Sequence, residues 1–157
     1  MQITIEYMIL IPVLIMQLFL FPLTVGWIMN TWVDSRRTLE LQETASHLGS
    51  AIQQVYFSLN HTTIQSGNLS YTLKIPPSIE GYSYTGNATW RTTEDPDSNQ
   101  VLDVTLQFVG LKISTITSVI LGQNVEWKNS TLKSYSTGSC LIANKTSDGK
   151  IELSFGT

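Results

Sequence analysis

Residues 2–33 read QITIEYMILIPVLIMQLFLFPLTVGWIMNTWV, and the reading of this stretch decides the fold. Between Glu6 and Asp34 lie 27 consecutive residues without a formal charge. About 20 apolar residues suffice to cross a bilayer core. In lipid the backbone must satisfy its own hydrogen bonds, so a run of this length is expected to be helical. A cleaved secretory signal peptide fits poorly. Such peptides have a basic start, an apolar centre of about 7 to 15 residues and a small-residue cleavage site; here there is no early Lys or Arg and no A-x-A. A plain membrane anchor fits the length, with Trp27 and Trp32 placed as interfacial aromatics. Glu6 is the costly residue. In an anchor it lies in the headgroup zone and complements the positive end of the helix dipole; deeper in an apolar phase it needs a partner.

Pro12, Pro22 and Gly26 are soft points in the run, where bends or a locally extended stretch are expected. After Val33 the composition changes abruptly to Asp34-Ser35-Arg36-Arg37, yet helical periodicity continues. Leu41, Ala45, Leu48, Ile52, Val55 and Leu59 recur at spacings of 4, 3, 4, 3 and 4, one apolar stripe. With no proline between residues 23 and 75, a single helix is predicted from about residue 3 to 59. At 1.5 Å per residue it is roughly 85 Å long. Residues 1–59 thus form an N-terminal helix, with 2–33 as its membrane half and 34–59 as its amphipathic half.

Residues 60–157 read as an exposed β-rich domain. Asn60 to Gly67 is turn-rich and ends the helix. Leu69 to Ile75 alternates with period 2 until Pro76-Pro77 stops it, and short strands are expected at Gly81 to Tyr84 and Ala88 to Thr92. Val101 to Val109 is the strongest strand, with Leu102, Val104, Leu106 and Phe108 on one face. Leu111 to Leu121, Thr131 to Tyr135 and Ser139 to Asn144 follow, and Asp148-Gly149 closes a hairpin onto Ile151 to Phe155. The predicted fold class is α+β: a long N-terminal helix packed on a C-terminal antiparallel β-sandwich or partly open barrel.

Little here supports catalysis. Charged residues are 13% of the chain and the net charge is -3, which gives no basic footprint for nucleic acid. A single cysteine, Cys140, excludes an internal disulfide framework and reads as a small buried strand residue. His47 and His61 lack metal-ligand spacing and read as surface residues, and no G-x-S-x-G, phosphate loop or H-E-x-x-H pattern occurs. Glu94-Asp95-Pro96-Asp97-Ser98-Asn99 begins like a calcium loop, but it lacks the glycine that should follow and has Leu106 where the bidentate Glu falls. It reads as a solvated turn. No cofactor or metal is expected.

The polar signal that stands out is N-x-S/T. Asn60, Asn68, Asn87, Asn129 and Asn144 open sequons, five of the seven Asn residues after position 59. Chance at this Ser/Thr content gives about two. The excess points to N-linked glycans on an exported surface, although a Ser/Thr-rich β protein also acquires sequons cheaply.

The opening Gln2-Ile3-Thr4-Ile5-Glu6-Tyr7, followed by the apolar run, resembles the class III signal peptide and assembly motif Q-x-S/T-x-E-[YF] of archaeal type IV pilin-like proteins. Lys74-Ile-Pro-Pro-Ser-Ile-Glu-Gly-Tyr-Ser-Tyr84 is similar to the strand, Pro-Pro, turn and Gly-x-x-Tyr pattern that follows the helix in that family. The resemblance implies a prepilin peptidase that cuts before Gln2 and places Glu6 at the fifth mature position. It implies that Glu6 meets the N-terminal amine of a neighbouring subunit, as opposite charges in a low-dielectric core must pair. It also implies a filament core packed through Ile9, Val13, Leu14, Leu18, Leu20, Phe21, Val25 and Ile28. Family precursors carry a short basic leader, whereas only Met1 precedes Gln2 here. Arg36 and Arg37 by themselves would keep their end of the run cytoplasmic, and a basic leader would reverse that balance.

The expected function is structural: a subunit of an extracellular pilus-like filament, for adhesion or surface interaction. Its partners are copies of itself in a helical homopolymer, the peptidase and assembly machinery, and the membrane before assembly. The main rival is a membrane-anchored β-sandwich interaction protein that does not polymerise, such as a minor pilin or an archaellum stator-like component. A membrane-tethered hydrolase would need a catalytic constellation that the sequence does not display.

Overall fold

A helix-forming run that is apolar all round and then apolar along one stripe produces two differently packed halves of one element. The computed structural model describes residues 2–91, 99–136 and 138–156, with side chains from Met8 onward. The chain forms two units, Met1–Arg36 and Arg37–Thr157, and a single helix, α1 (Gln2–Leu59), runs through the first and opens the second. Its backbone remains helical through Pro12 and Pro22. Among the described residues, two threonine hydroxyls of the apolar half turn back on the helix. Thr24 Oγ1 donates to the Phe21 carbonyl and Thr31 Oγ1 to the Trp27 carbonyl, each at 2.9 Å, which satisfies both without external partners.

From Leu41 onward the helix carries the predicted stripe inward. Leu41, Ala45, Leu48, Ile52, Val55 and Leu59 are all buried, joined by Thr44, Ala51 and Tyr56. Each such aliphatic side chain contributes about 1.5–3 kcal/mol when removed from water. The stripe therefore fixes which helix face meets the strands. Thr44, buried within it, returns its hydroxyl to the Glu40 carbonyl at 2.9 Å.

Eight strands follow among the described residues: β1 (Gly67–Thr72), β2 (Tyr84–Arg91), β3 (Gln100–Phe108), β4 (Ser114–Leu121), β5 (Val125–Trp127), β6 (Thr131–Lys133), β7 (Cys140–Lys145) and β8 (Ile151–Gly156). They form two open four-stranded sheets, ordered β1-β7-β8-β5 and β4-β3-β2-β6, and neither closes into a barrel. The fold is α+β. Every neighbouring pair is antiparallel except β5 with β8. That parallel edge departs from the all-antiparallel expectation, because β5 and β8 are linked through β6 and β7 and so have the long connection that parallel pairing needs.

Strand alternation places one face of each sheet inside. On β3, Leu102, Val104, Leu106 and Phe108 are buried as the period predicts. They share one core with Val119 and Leu121 of β4, Leu141 and Ala143 of β7, Ile151, Leu153 and Phe155 of β8, and the helix stripe. Of the two expected short strands, Ala88–Thr92 corresponds to the second half of β2 as far as Arg91, with Thr92 outside the described residues, whereas Gly81–Tyr84 contributes only Tyr84 to it. Gly86 looks like an interruption in sequence, but it faces the core where a Cβ would lie 2.7 Å from Leu106 Cδ2 and 3.2 Å from Leu132 Cβ. Gly81, expected in a strand, instead belongs to a tight turn. Ile79 and Tyr82 exchange backbone hydrogen bonds at 3.0 Å, and both central residues, Glu80 and Gly81, have positive φ (48° and 82°). β5 was not expected at all, since three residues are too few to show a period.

The predicted closing hairpin is present: β7 and β8 pair through a turn in which Gly149 takes φ 81°. Cys140 differs from expectation. It sits on the outer face of β7, only partly buried, and its Sγ occupies the space that a side chain at Gly156 would need.

Candidate functional site

Residues 8–32 are exposed in every case, although most are large and apolar: Met8 is 80% exposed, Phe19 69% and Trp27 72%. A soluble surface rarely leaves an apolar patch of that extent uncovered. The proposed packing residues Ile9, Val13, Leu14, Leu18, Leu20, Phe21, Val25 and Ile28 lie in this stretch and are exposed, Val25 least at 38%. The helix is long and apolar enough to cross a membrane. At its boundary the Arg36 guanidinium lies 5.8 Å from the Trp32 ring centroid. Gln2 and Glu6 fall within the helical backbone, but their side chains lie outside the described residues.

The five sequon asparagines are distributed over the second unit in a definite pattern. Asn68 on β1 and Asn144 on β7 are direct cross-strand partners on the outer face of the first sheet. Asn87 on β2 faces Thr131 on β6, the hydroxyl residue of the Asn129 sequon, on the outer face of the second. Asn60 follows the helix. Asn60, Asn68, Asn87 and Asn129 are exposed, and Asn144 is partly buried. The Asn60 amide is occupied at both ends: Nδ2 donates to the Tyr56 hydroxyl, and Oδ1 accepts from Asn124 Nδ2, each at 3.0 Å. Asn124 also donates to the Gly149 carbonyl at 3.1 Å, so this network joins the helix end to the closing hairpin.

Charged groups of the domain, among the described residues, include three cross-element arrangements. Arg37 donates to Glu80 at 3.1 Å and stacks over Tyr82 at 4.8 Å, which holds the positive-φ turn on the helix. Arg91 grips Asp103 through two bonds of 2.9 and 2.8 Å, and Ser118 donates to the same carboxylate at 2.7 Å. The Ser118 bond, aided by Arg91, holds the Asp103 carboxyl below the usual range. Lys128 donates to Glu152 at 2.7 Å, which lowers the Glu152 carboxyl and raises the lysine. These rows span β2, β3 and β4, or β5's flank and β8, so no local sequence pattern announces them. Tyr84 is fully buried, donates to the Pro76 carbonyl at 2.6 Å, and has its hydroxyl pushed up to about 12 by burial.

His47 and His61 are exposed; His47 approaches Glu43 at 3.8 Å, and His61 Nδ1 pairs with the Thr63 hydroxyl at 2.8 Å. Among the described residues no group of three or more His, Cys, Asp or Glu is placed to hold a metal ion. Residues 94–98 of the acidic turn lie outside the described residues. The chain matches no protein-family model, no curated protein and no solved structure.

Proposed function

We propose that this chain is a structural subunit of an extracellular filament of the archaeal type IV pilin-like kind, held in the membrane before assembly and polymerised through its apolar helix. The observation that carries this reading is the uncovered apolar surface on every side of residues 8–32. A plain anchor needs apolar surface all round, and so does a helix surrounded by copies of itself. The Q-x-T-x-E-Y opening then favours the polymer, because it provides Glu6 as an assembly contact that a simple anchor does not need.

The mechanism is mechanical. A peptidase frees the amine of Gln2, and Glu6 of one subunit pairs with that amine of the next. Exchange of lipid for neighbouring helices gains no hydrophobic energy, since acyl chains are as apolar as leucine; packing and the buried ion pair direct it. Once the filament stands in water, apolar burial keeps its core closed. Such a contact is heterologous and does not close on itself, as a helical polymer requires. The β unit, bearing hydroxyls and N-linked glycans, faces outward for adhesion or surface interaction, and the protein performs no catalysis and takes no nucleic acid.

The alternative is an anchored interaction protein that never polymerises; Arg36 beside Trp32 would serve it equally well as a membrane-boundary anchor. Shearing filaments from the source cells, imaging them by cryo-electron microscopy and sequencing the N-terminus of the main subunit decides between them. Filaments of this chain beginning at Gln2 support both polymer and processing. Retention of the chain in the membrane fraction, with none in filaments, sinks the filament reading and leaves the anchor.

A further inference from the structure

Asn68 and Asn144 both open sequons and both face outward from the first sheet, directly opposite each other on β1 and β7. Cβ atoms of such partners lie about 4.5–5.5 Å apart. Two branched sugars rooted that closely on one face would compete for the same space. The two tripeptides are also held very differently by the fold.

Asn144-Lys145-Thr146 is tied down at each residue. Asn144 lies on an interior strand between β1 and β8, in register with Glu152. Lys145 is buried and donates to the Leu59 carbonyl at 2.8 Å and the His61 carbonyl at 3.3 Å. The Thr146 hydroxyl donates to the Lys150 carbonyl at 3.2 Å, and its N–H to the same carbonyl at 2.9 Å. Presentation of this sequon to an enzyme requires release of two strand neighbours, the helix end and the hairpin turn together. Asn68-Leu69-Ser70 lies on the edge strand β1, with Asn68 and Ser70 exposed and, among the described residues, no side-chain hydrogen bond on either. It needs only one edge strand to peel away, and local openings at an edge cost far less than openings of interior structure.

We propose that Asn68, and not Asn144, carries the N-linked glycan of this face. A lipid-linked oligosaccharide is the donor: Asn68 Nδ2 forms the bond to the anomeric carbon, the sugar–phosphate C–O bond breaks with its electron pair leaving on the lipid phosphate, and one amide proton passes to the transferase's base. The first sugar then lies along a shallow groove of about 410 Å³ between Asn68 and Asn144, lined also by Ser70, Lys128, Ile142 and Glu152. It covers Ile142, an apolar side chain 42% exposed on this otherwise polar face. Asn144 stays unmodified on its interior strand.

The proposal rests on the exported placement of the β unit. Glycopeptide mass spectrometry on protein purified from the source cells tests it, for the native chain, Asn68→Gln and Asn144→Gln. Occupancy at Asn68 is expected to exceed that at Asn144 by about tenfold or more. Asn144→Gln leaves the glycan mass unchanged, and Asn68→Gln removes one glycan without its appearance at Asn144. Equal occupancy, both sugars on one chain, transfer to Asn144 in Asn68→Gln, or a bare Asn68 beside other occupied sequons each overturns it. A chain with no sugar at any sequon overturns this proposal and the surface glycans with it, while the filament reading is decided separately by shearing.

Discussion

The ammonium of Lys145 lies 2.8 Å from the main-chain carbonyl of Leu59, the last residue of the helix, across 86 positions of sequence. The helix ends without a glycine cap, and its final carbonyls need donors. Lys145 supplies one from the inner face of β7, where its side chain is buried, and so joins the end of α1 to the first sheet. A cation there also complements the negative end of the helix dipole. Lys145→Met therefore removes a charged bond and leaves buried carbonyls unpaired, at a cost of about 2–3 kcal/mol. Denaturant unfolding of the full chain in detergent, followed by tryptophan fluorescence, measures it. The exposed Lys150→Met is the control and should stay within about 0.5 kcal/mol of the native chain.

Gly49 faces β4 with no room for a side chain. A Cβ there would lie 2.9 Å from Thr117 Cγ2 and 3.2 Å from Val119 Cγ2, two β-branched side chains with little freedom to give way. Alanine gains up to about 1 kcal/mol in helix propensity, but overpacking costs about 1–3 kcal/mol. Gly49→Ala is expected to be destabilising on balance, and Gly49→Leu more so. An unfolding midpoint for Gly49→Ala above that of the native chain would show that the helix can shift away from the sheet.

Tyr84 sets an alkaline limit. Burial pushes its hydroxyl up to about 12 from an ordinary value of 10.0, so the folded state holds the proton more tightly than the unfolded chain. The stability it contributes is complete below pH 10 and is lost as the pH rises from there through about 12. Two pH units correspond to roughly 2–3 kcal/mol. Tyr84→Phe loses the bond to the Pro76 carbonyl, at about 1 kcal/mol near neutral pH, and also loses this part of the alkaline decline. Unfolding curves collected between pH 8 and about 12 separate the two effects.

Asp103 acts at the other end of the scale. Ser118 and Arg91 hold its carboxyl below the ordinary value of 3.8, so its contribution is present above that value and is lost as the pH falls through the lowered one. Asp103→Asn should lower the unfolding midpoint at pH 7 and flatten the decline below about pH 4. An acid limb identical to the native one would remove Asp103 from the account, leaving Glu152 as the candidate, whose carboxyl is lowered in the same direction by Lys128.

On the filament reading, Glu6→Gln keeps the length and shape of the side chain and removes its charge. The variant should insert in the membrane at the native level, while filament yield from sheared cells falls about tenfold or more, the loss of one buried charge-assisted contact. Undiminished filaments from this variant would take the ion pair out of the assembly mechanism.

Much of the fold is written in local periods. The 27 uncharged residues between Glu6 and Asp34 and the stripe from Leu41 to Leu59 predict one helix with two environments, and the helix is Gln2–Leu59. The alternation of Leu102, Val104, Leu106 and Phe108 predicts the central strand and its buried face, and Asp148-Gly149 marks the last hairpin. These signals survive because each comes from neighbours in sequence that share a face. Gly86 carries no such signal: the space where its Cβ would lie is closed by Leu106 and Leu132, which the sequence places 20 and 46 residues away.

By itself, then, the sequence determined a helix apolar on all sides in its first half, a second half with one face to bury, and a hydroxyl-rich set of strands bearing five sequons. Periodicity and composition act over a few residues, and a single chain displays them without help. Only the tertiary structure decided that β5 pairs in parallel with β8, that Lys145 caps the helix, and that Asn68 and Asn144 stand side by side. Strand partners and buried polar contacts are chosen by burial over the whole unit, between residues whose separation in sequence leaves no local mark.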